Sequence, residues 1–476
     1  METSKQTINI PLCFRILLLL LLCHIAASRT IVTHLYPVLM ALFPSHLRPG
    51  QYVGVGDMDD VQLFYYFVES QRNPAQDPLM LWLSGGPGCS CLSAFFYESG
   101  PVYFEFEGYK GGLPTLRLNE YTWTQVEVVL IFMQIRANIL YVDAPVGTGF
   151  SYSESQEGYY VDDYKSAKQI YEFLRKWLKS HPEFLENNLY IGGDSYSGII
   201  LPMVVQEIID GNELGRQPYM NLKGYILGNP VTDSYVDDDS RIPFAYRLTL
   251  ISEDLYRAAK ASCNGDYVNI DNEDCELNME AINELILDIK FAHVLEPYCG
   301  YASPRPHDRK WRQRSLKEHS KDPLRLQRIG PAFFCRDYLY VLSEIWANNE
   351  TVQEALKFRS GTTGVWQRCN GSLAYTEDVT SSIAYHQNLT AASLRALIFR
   401  SNLLLFFVCV GTQQWINTLN LTLSNVWRAW FVDAQVAGYV RRFTKDNYAL
   451  TCATVKGAGH VAPEYKQKEC YTMIDR

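Results

Sequence analysis

Short apolar runs recur along the chain, each closing on glycine or a polar residue: "DPLMLWLSGG", "ANILYVDAPVG", "NNLYIGGDS", "NLKGYILGNP" and "LRALIF". Continuous apolar runs of this length, rich in β-branched and aromatic residues, predict strands buried on both faces of a parallel sheet, with working loops at their C-terminal ends. Between them, "VDDYKSAKQIYEFLRKWLKSHPEF" (Val161 to Phe184) has apolar positions at helical spacing and stops at His181-Pro182. The repeated strand-then-helix order predicts an α/β fold with a doubly wound, mostly parallel sheet. From Thr232 to Cys335 that rhythm breaks, and residues 232–335 read as a cap inserted between two core parts, 29–231 and 336–476. The tract Arg305 to Arg328 inside it is strongly basic and reads as an exposed, protease-sensitive loop.

Two runs are more apolar than a sheet strand requires. "ILLLLLLC" (Ile16 to Cys23) follows Lys5 and Arg15 and precedes the small residues "AAS" (Ala26 to Ser28), so residues 1–28 read as a cleaved signal peptide. "LIFRSNLLLFFVCVGTQQWI" (Leu397 to Ile416) contains eight consecutive apolar residues, Leu403 to Val410, too few to span a bilayer. No membrane partner is expected once the leader is removed.

Composition narrows the class. The chain has 476 residues, 47% of them hydrophobic, enough to bury a large core. A formal net charge of −9 argues against nucleic acid as the main partner, because phosphate binding needs a basic footprint. Of 12 cysteines, Cys13 and Cys23 lie in the leader. Sequons at Asn349, Asn370, Asn388 and Asn420, behind a signal peptide, predict a secreted or vacuolar glycoprotein. No cofactor and no metal is called for.

Candidate chemistry begins at Gly193-Asp194-Ser195-Tyr196-Ser197, which approximates the nucleophile elbow G-x-S-x-G with Ser197 in the last glycine slot. The turn lifts a serine hydroxyl above the sheet and aims a helix N-terminus at developing negative charge. A hydroxyl is a poor nucleophile until a base takes its proton. His460, on the Gly-rich loop "TVKGAGHVAPE" after the apolar run "YALTCATV", stands where the base follows the last strand. The loop "LWLSGGPGCSC" (Leu81 to Cys91) can supply backbone N–H groups to an oxyanion hole together with that of Tyr196.

The motifs "WLSGGPGCS", "VDAPVGTGFSYS", "GDSYSG", "GYILGNPVTD" and "KGAGHVAPE", in that order, resemble the serine carboxypeptidase family, and within it the plant serine carboxypeptidase-like proteins. The resemblance runs from about Leu47 to the C-terminus. It implies an α/β-hydrolase fold with a helical cap, Ser195 as nucleophile, His460 as general base, and the Gly86 and Tyr196 amides as the oxyanion hole. It also implies substrate-binding roles for Ser84, Gly85, Glu98 and Asp194, and disulfides pairing Cys89 with Cys369, Cys263 with Cys275, and Cys299 with Cys335. Two carboxyls held together cannot both ionise cheaply, so Glu98 and Asp194 would share a proton and favour acidic conditions. Ser84 and Asp194 depart from the family's peptidases, which carry Asn and Glu there. The form "GDSYSG" resembles a branch that includes acyltransferases using glucose esters. The substrate is accordingly a peptide or an acyl ester, resolved from a common acyl-enzyme by water or by an alcohol.

One role has no residue to fill it. The resemblance places a "GDxD" loop, whose second Asp orients the histidine, after "RALIF"; here Asn402 and Leu404 occupy the two Asp positions, and no Asp or Glu occurs from Leu397 to Ile416. The expectation is Ser-His chemistry releasing C-terminal residues at an impaired rate, with a catalytically silent member of the family as the other reading. Apolar side chains in that loop should be exposed or should clog the pocket. A second foreign stretch, "EVVLIFMQIR" (Glu127 to Arg136), lengthens a link that the family keeps short. Together 127–136 and 400–410 are what a decaying gene or a misassembled coding sequence would leave.

Overall fold

The computed structural model describes residues 47–107, 109–124, 137–297, 336–405 and 409–475. The expected signal peptide, the stretch 127–136, the basic tract and both Cys299 and Cys335 lie outside the described residues.

Eleven strands form the main sheet: β1 (Leu47–Val55), β2 (Val61–Val68), β3 (Leu79–Leu83), β4 (Asn138–Val142), β5 (Tyr152–Ser153), β6 (Leu189–Asp194), β7 (Leu222–Gly228), β8 (Arg395–Ser401), β9 (Thr422–Val432), β10 (Gln435–Lys445) and β11 (Tyr448–Val455). Their spatial order is β1-β2-β4-β3-β6-β7-β8-β11-β10-β9, with β5 added on β2. The six central strands, β4 to β11 in that order, are parallel. They include all five apolar runs singled out above. Each of β3 and β4 is buried at every position, as a sheet covered on both faces demands. The antiparallel pairs lie at the two edges.

Helices cover both faces. On one, α1 (Asp163–Ser180) and α2 (Ser197–Glu213) pack Phe173, Leu174, Trp177, Val204 and Ile208 onto the sheet. The Asp162 carboxylate caps α1 by accepting from Lys165 N–H, and the helix ends at His181, just before Pro182. The other face buries an aromatic cluster that includes Trp82, Phe95, Phe96, Trp123 and Trp346. This two-sided layering is the α/β-hydrolase arrangement.

Between β7 and β8 the chain forms further helices, among them Arg241–Arg247, Glu253–Ser262 and Glu273–Ile286, with a buried cluster of their own around Ile242, Phe244, Met279 and Ile282. A disulfide between Cys263 and Cys275 ties the last two helices together. The apolar run opened by Leu397 resolves into two elements, strand β8 and a helix, Cys409–Thr418. Leu404 and Leu405 between them are fully buried, the first in the α1/α2 cluster and the second among the inserted helices. At these two positions the apolar residues are buried rather than exposed, one in each cluster. Among the described residues no helix is long and apolar enough to cross a membrane.

Candidate active site

Ser195 sits in the two-residue step between β6 and α2 with φ of +57°, a conformation that L-residues adopt only when their surroundings impose it. Here the backbone is held from both sides. Ser195 N–H donates to the Gly228 carbonyl at 3.0 Å, and the Ser195 carbonyl accepts from Val231 N–H at 2.8 Å. The Ser197 hydroxyl turns back to donate to the Asp194 carbonyl at 2.6 Å, which is how a serine is tolerated in the glycine slot. The close approach falls instead on Gly198, where a Cβ would lie 2.3 Å from the Val231 carbonyl.

His460 meets the nucleophile. Its Nε2 is 3.0 Å from Ser195 Oγ. The histidine loop is fixed by its backbone: His460 N–H donates to the Ala292 carbonyl at 2.7 Å, and the Ser401 hydroxyl at the end of β8 donates to the Gly459 carbonyl. Asn229, itself at φ +47°, accepts through Oδ1 from Ala462 N–H at 3.0 Å and lies 3.2 Å from Ser401 Oγ, tying the ends of β7 and β8 to the short helix after His460.

The Gly-rich loop lies directly over the serine. A Cβ on Gly85 would stand 2.4 Å from Ser195 Cβ and 2.8 Å from Tyr196 N, so only glycine fits. Gly86 follows at φ +123°, and the Cys89–Cys369 disulfide anchors the loop's far end. Tyr196 is pinned through its hydroxyl, which donates to Asp163 at 2.9 Å.

Beside the serine lies a knot of buried acids. Ser84, Glu98 and Asp194 are 8%, 4% and 5% exposed. Ser84 Oγ, Glu98 Oε2 and Asp194 Oδ1 have no hydrogen-bond partner among the described residues. Burial, and then the charges of Asp194 and Glu464, push the Glu98 carboxyl well above its usual range. Burial pushes Asp194 up to about 7 against the opposing Gly85 N–H and Arg368 guanidinium. Glu464 is also raised, by burial, while Arg336 and the Tyr340 hydroxyl hold it back. The knot therefore retains protons at mildly acidic pH.

The electrostatics at the histidine run the opposite way. Burial, then the guanidiniums of Arg400 and Arg368, hold its ring down at about 3, so the imidazole is neutral and able to accept a proton. Leu404, the residue at the position of the expected acid, has a fully buried aliphatic side chain. Asn402, at the other position, accepts from Gly457 N–H at 2.7 Å.

The structure thus gathers Ser195, His460, Ser84, Gly85, Gly86, Glu98, Asp194 and Tyr196 at the C-terminal ends of the central strands. Arg368, Arg400 and Glu464 join them without having been singled out from the sequence. Glu464 carried a signal, four residues past His460 in the quoted loop; Arg368 and Arg400 carried none beyond their neighbours Cys369 and Phe399. Of the sequons, Asn388 and Asn420 are exposed, Asn349 caps a short helix through its side chain, and the Asn370 amide donates to the Gly147 carbonyl. Among the described residues no cluster of His, Cys, Asp and Glu could hold a metal ion.

Comparison with known proteins points to one family. The family model described as serine carboxypeptidase matches residues 43–476. Serine carboxypeptidase-like 17 of Arabidopsis thaliana is 41% identical over 461 residues, covering 96% of this chain and 95% of that protein. Serine carboxypeptidase-like 16 of the same plant is 41% identical over 469 residues, covering 98% of each. Among solved structures, Kex1(Δ)p, a prohormone-processing carboxypeptidase of Saccharomyces cerevisiae, superposes with a TM-score of 0.68 at 19% identity, covering 91% of each chain, a likeness of fold.

Proposed function

The chain belongs to the serine carboxypeptidase family, and from that premise we propose that it is a secretory-pathway acyl-enzyme hydrolase that releases C-terminal residues from peptides, at a rate held down by the leucine in place of the catalytic acid. The observation that carries the reading is the 3.0 Å contact between His460 Nε2 and Ser195 Oγ. In the acylation step Ser195 Oγ attacks the scissile carbonyl as its proton passes to His460 Nε2. The N–H groups of Gly86 and Tyr196 receive the oxyanion, and the leaving amine takes the proton from His460 as the C–N bond breaks. Water then resolves the ester, with His460 again shuttling the proton.

The substrate's terminal carboxylate fits the acid knot while that knot is protonated. Ser84 Oγ and a protonated member of the Glu98–Asp194 pair are the donors, and Arg368 supplies positive charge nearby. The weak link is imidazolium formation. Leu404 cannot accept a hydrogen bond, and the charges acting on His460 are cations, which oppose the proton it must take. Losing the acid's contribution lowers kcat by about 10⁴ in a well-characterised serine protease triad.

A second reading, acyl transfer from a glucose ester to an alcohol, is favoured by Asp194 standing where the peptidases carry Glu. Both readings share the acyl-enzyme and differ in donor. Offering a blocked dipeptide and a phenolic glucose ester side by side separates them: release of the terminal amino acid is the expected result, and ester consumption without peptide cleavage would replace hydrolysis with transfer. Silence toward both, with no labelling of Ser195 by a fluorophosphonate, would leave a catalytically silent member of the family.

A further inference from the structure

At the opposite end of the strands from Ser195 lies a cavity of about 510 Å³, the size of a small-molecule site. Its floor is apolar, built from Met80, Ile226, Leu397, Trp430 and Met473. Its wall is basic. Leu397 on β8 pairs with Thr451 on β11, Thr451 pairs with Arg442 on β10, and Val440 two residues earlier pairs with Arg428 on β9. Alternation along each strand therefore puts Arg395, Arg428 and Arg442 on the same sheet face as Leu397.

All three arginines line the cavity, are exposed, and form no ion pair with any described residue. The other charged groups in the lining are engaged or opposite in sign. Arg72 pairs with Asp77, Arg441 lies 5.8 Å from the rings of both Trp427 and Phe443, and Asp475 stands on the rim. In a chain with 52 acidic against 43 basic residues, three arginines around one concave, apolar-floored space, with no ion-pair partner among the described residues, are out of balance.

We propose that this cavity binds a small amphiphilic carboxylate, its head among Arg395, Arg428 and Arg442 and its apolar body on Met80, Ile226, Leu397 and Trp430. Guanidinium is the group best matched to a carboxylate, which it holds with two parallel hydrogen bonds. The apolar floor selects against a bare inorganic anion, which would leave it unused. The site is separate from the acyl-enzyme chemistry and does not depend on it.

The test uses the full chain with laurate as probe, read by thermal melting and by tryptophan fluorescence, which Trp430 should report. Dodecanol serves as the neutral twin. The expected result is a saturable laurate response without an equal dodecanol response. The Arg428→Gln/Arg442→Gln variant, in which both changes are at exposed positions, should bind laurate about tenfold or more weakly, the scale of losing charge-assisted hydrogen bonds. The Ser84→Ala/Asp194→Asn variant should bind it as the parent does. Three results would overturn the proposal: no saturable laurate response, equal binding of dodecanol, or binding lost in the Ser84/Asp194 variant and kept in the arginine variant.

Discussion

At the scale of single residues, the site turns on position 404. Leu404 is fully buried in the larger of the two sheet-face clusters, so an acid placed there carries a desolvation cost. Leu404→Asp should raise the rate of Ser195 acylation, up to about 10⁴-fold for full restoration, while lowering the melting temperature. Stopped-flow or gel-based labelling with a fluorophosphonate reads the first effect and calorimetry the second; a variant that stays folded with an unchanged labelling rate would show that this loop cannot deliver an acid. A second expectation concerns the sequons. Expressed in a plant secretory pathway, the exposed Asn388 and Asn420 should carry glycans, whereas Asn370, whose amide nitrogen is bound to the Gly147 carbonyl, should carry little. Glycopeptide mass spectrometry reads the occupancy, and full modification at Asn370 would contradict the hydrogen bond. The elbow at Ser195 and the loop of His460 are visible in the sequence because each sits in a local pattern after an apolar strand. The Glu98–Asp194 pair is visible only through the family resemblance, and Arg368 and Arg400 are not visible at all, because their roles come from burial and charge that only the folded chain brings together.

At the scale of elements, five apolar runs were enough to identify the parallel heart of the sheet, because a strand covered on both faces has no polar positions to interrupt it. The edges were harder to read. β9 exposes most of its length, including Val426, Trp427 and Phe431, so neither a buried run nor a clean alternation marks it. Also unmarked was the junction that holds α1 against the elbow. Asp163, fully buried at the start of α1, accepts from the hydroxyls of Tyr196 and Tyr375 and from the N–H groups of Asp378 and Val379 at 2.7 to 2.9 Å. Removing that acceptor strands four donors, of which the Tyr196 hydroxyl and the Val379 N–H are buried, at about 1–3 kcal/mol for each buried one left unsatisfied. Asp163→Ala should therefore lower the unfolding free energy by about 2 kcal/mol or more. A shift in the urea midpoint with an unchanged slope is the expected signature, and a midpoint within error of the parent would mean the junction is not held by this carboxylate.

For the whole molecule, the buried titratable groups set a pH window. Asp194 is raised to about 7 in the folded state, so the folded chain binds more protons between about 4 and 7, and the raised Glu98 carboxyl acts in the same direction. Stability should fall as pH rises through that interval and stay low above it. His386 and His460 are both held down at about 3, so they act from the other side: the unfolded chain takes their protons near 6.5, and stability is lost as pH falls below that. Replacing Asp194 with Asn should remove part of the alkaline loss, so the difference in melting temperature between variant and parent should grow in the variant's favour as pH rises from 5 to 8; a constant difference would contradict the raised carboxyl. The most direct test of the account is the second-order rate of fluorophosphonate acylation at Ser195, measured beside a family carboxypeptidase with its acid in place. The account predicts covalent labelling at Ser195, abolished by His460→Ala, slower than the comparator by orders of magnitude approaching about 10⁴. Labelling as fast as the comparator's, or none at Ser195 in the folded chain, would contradict it.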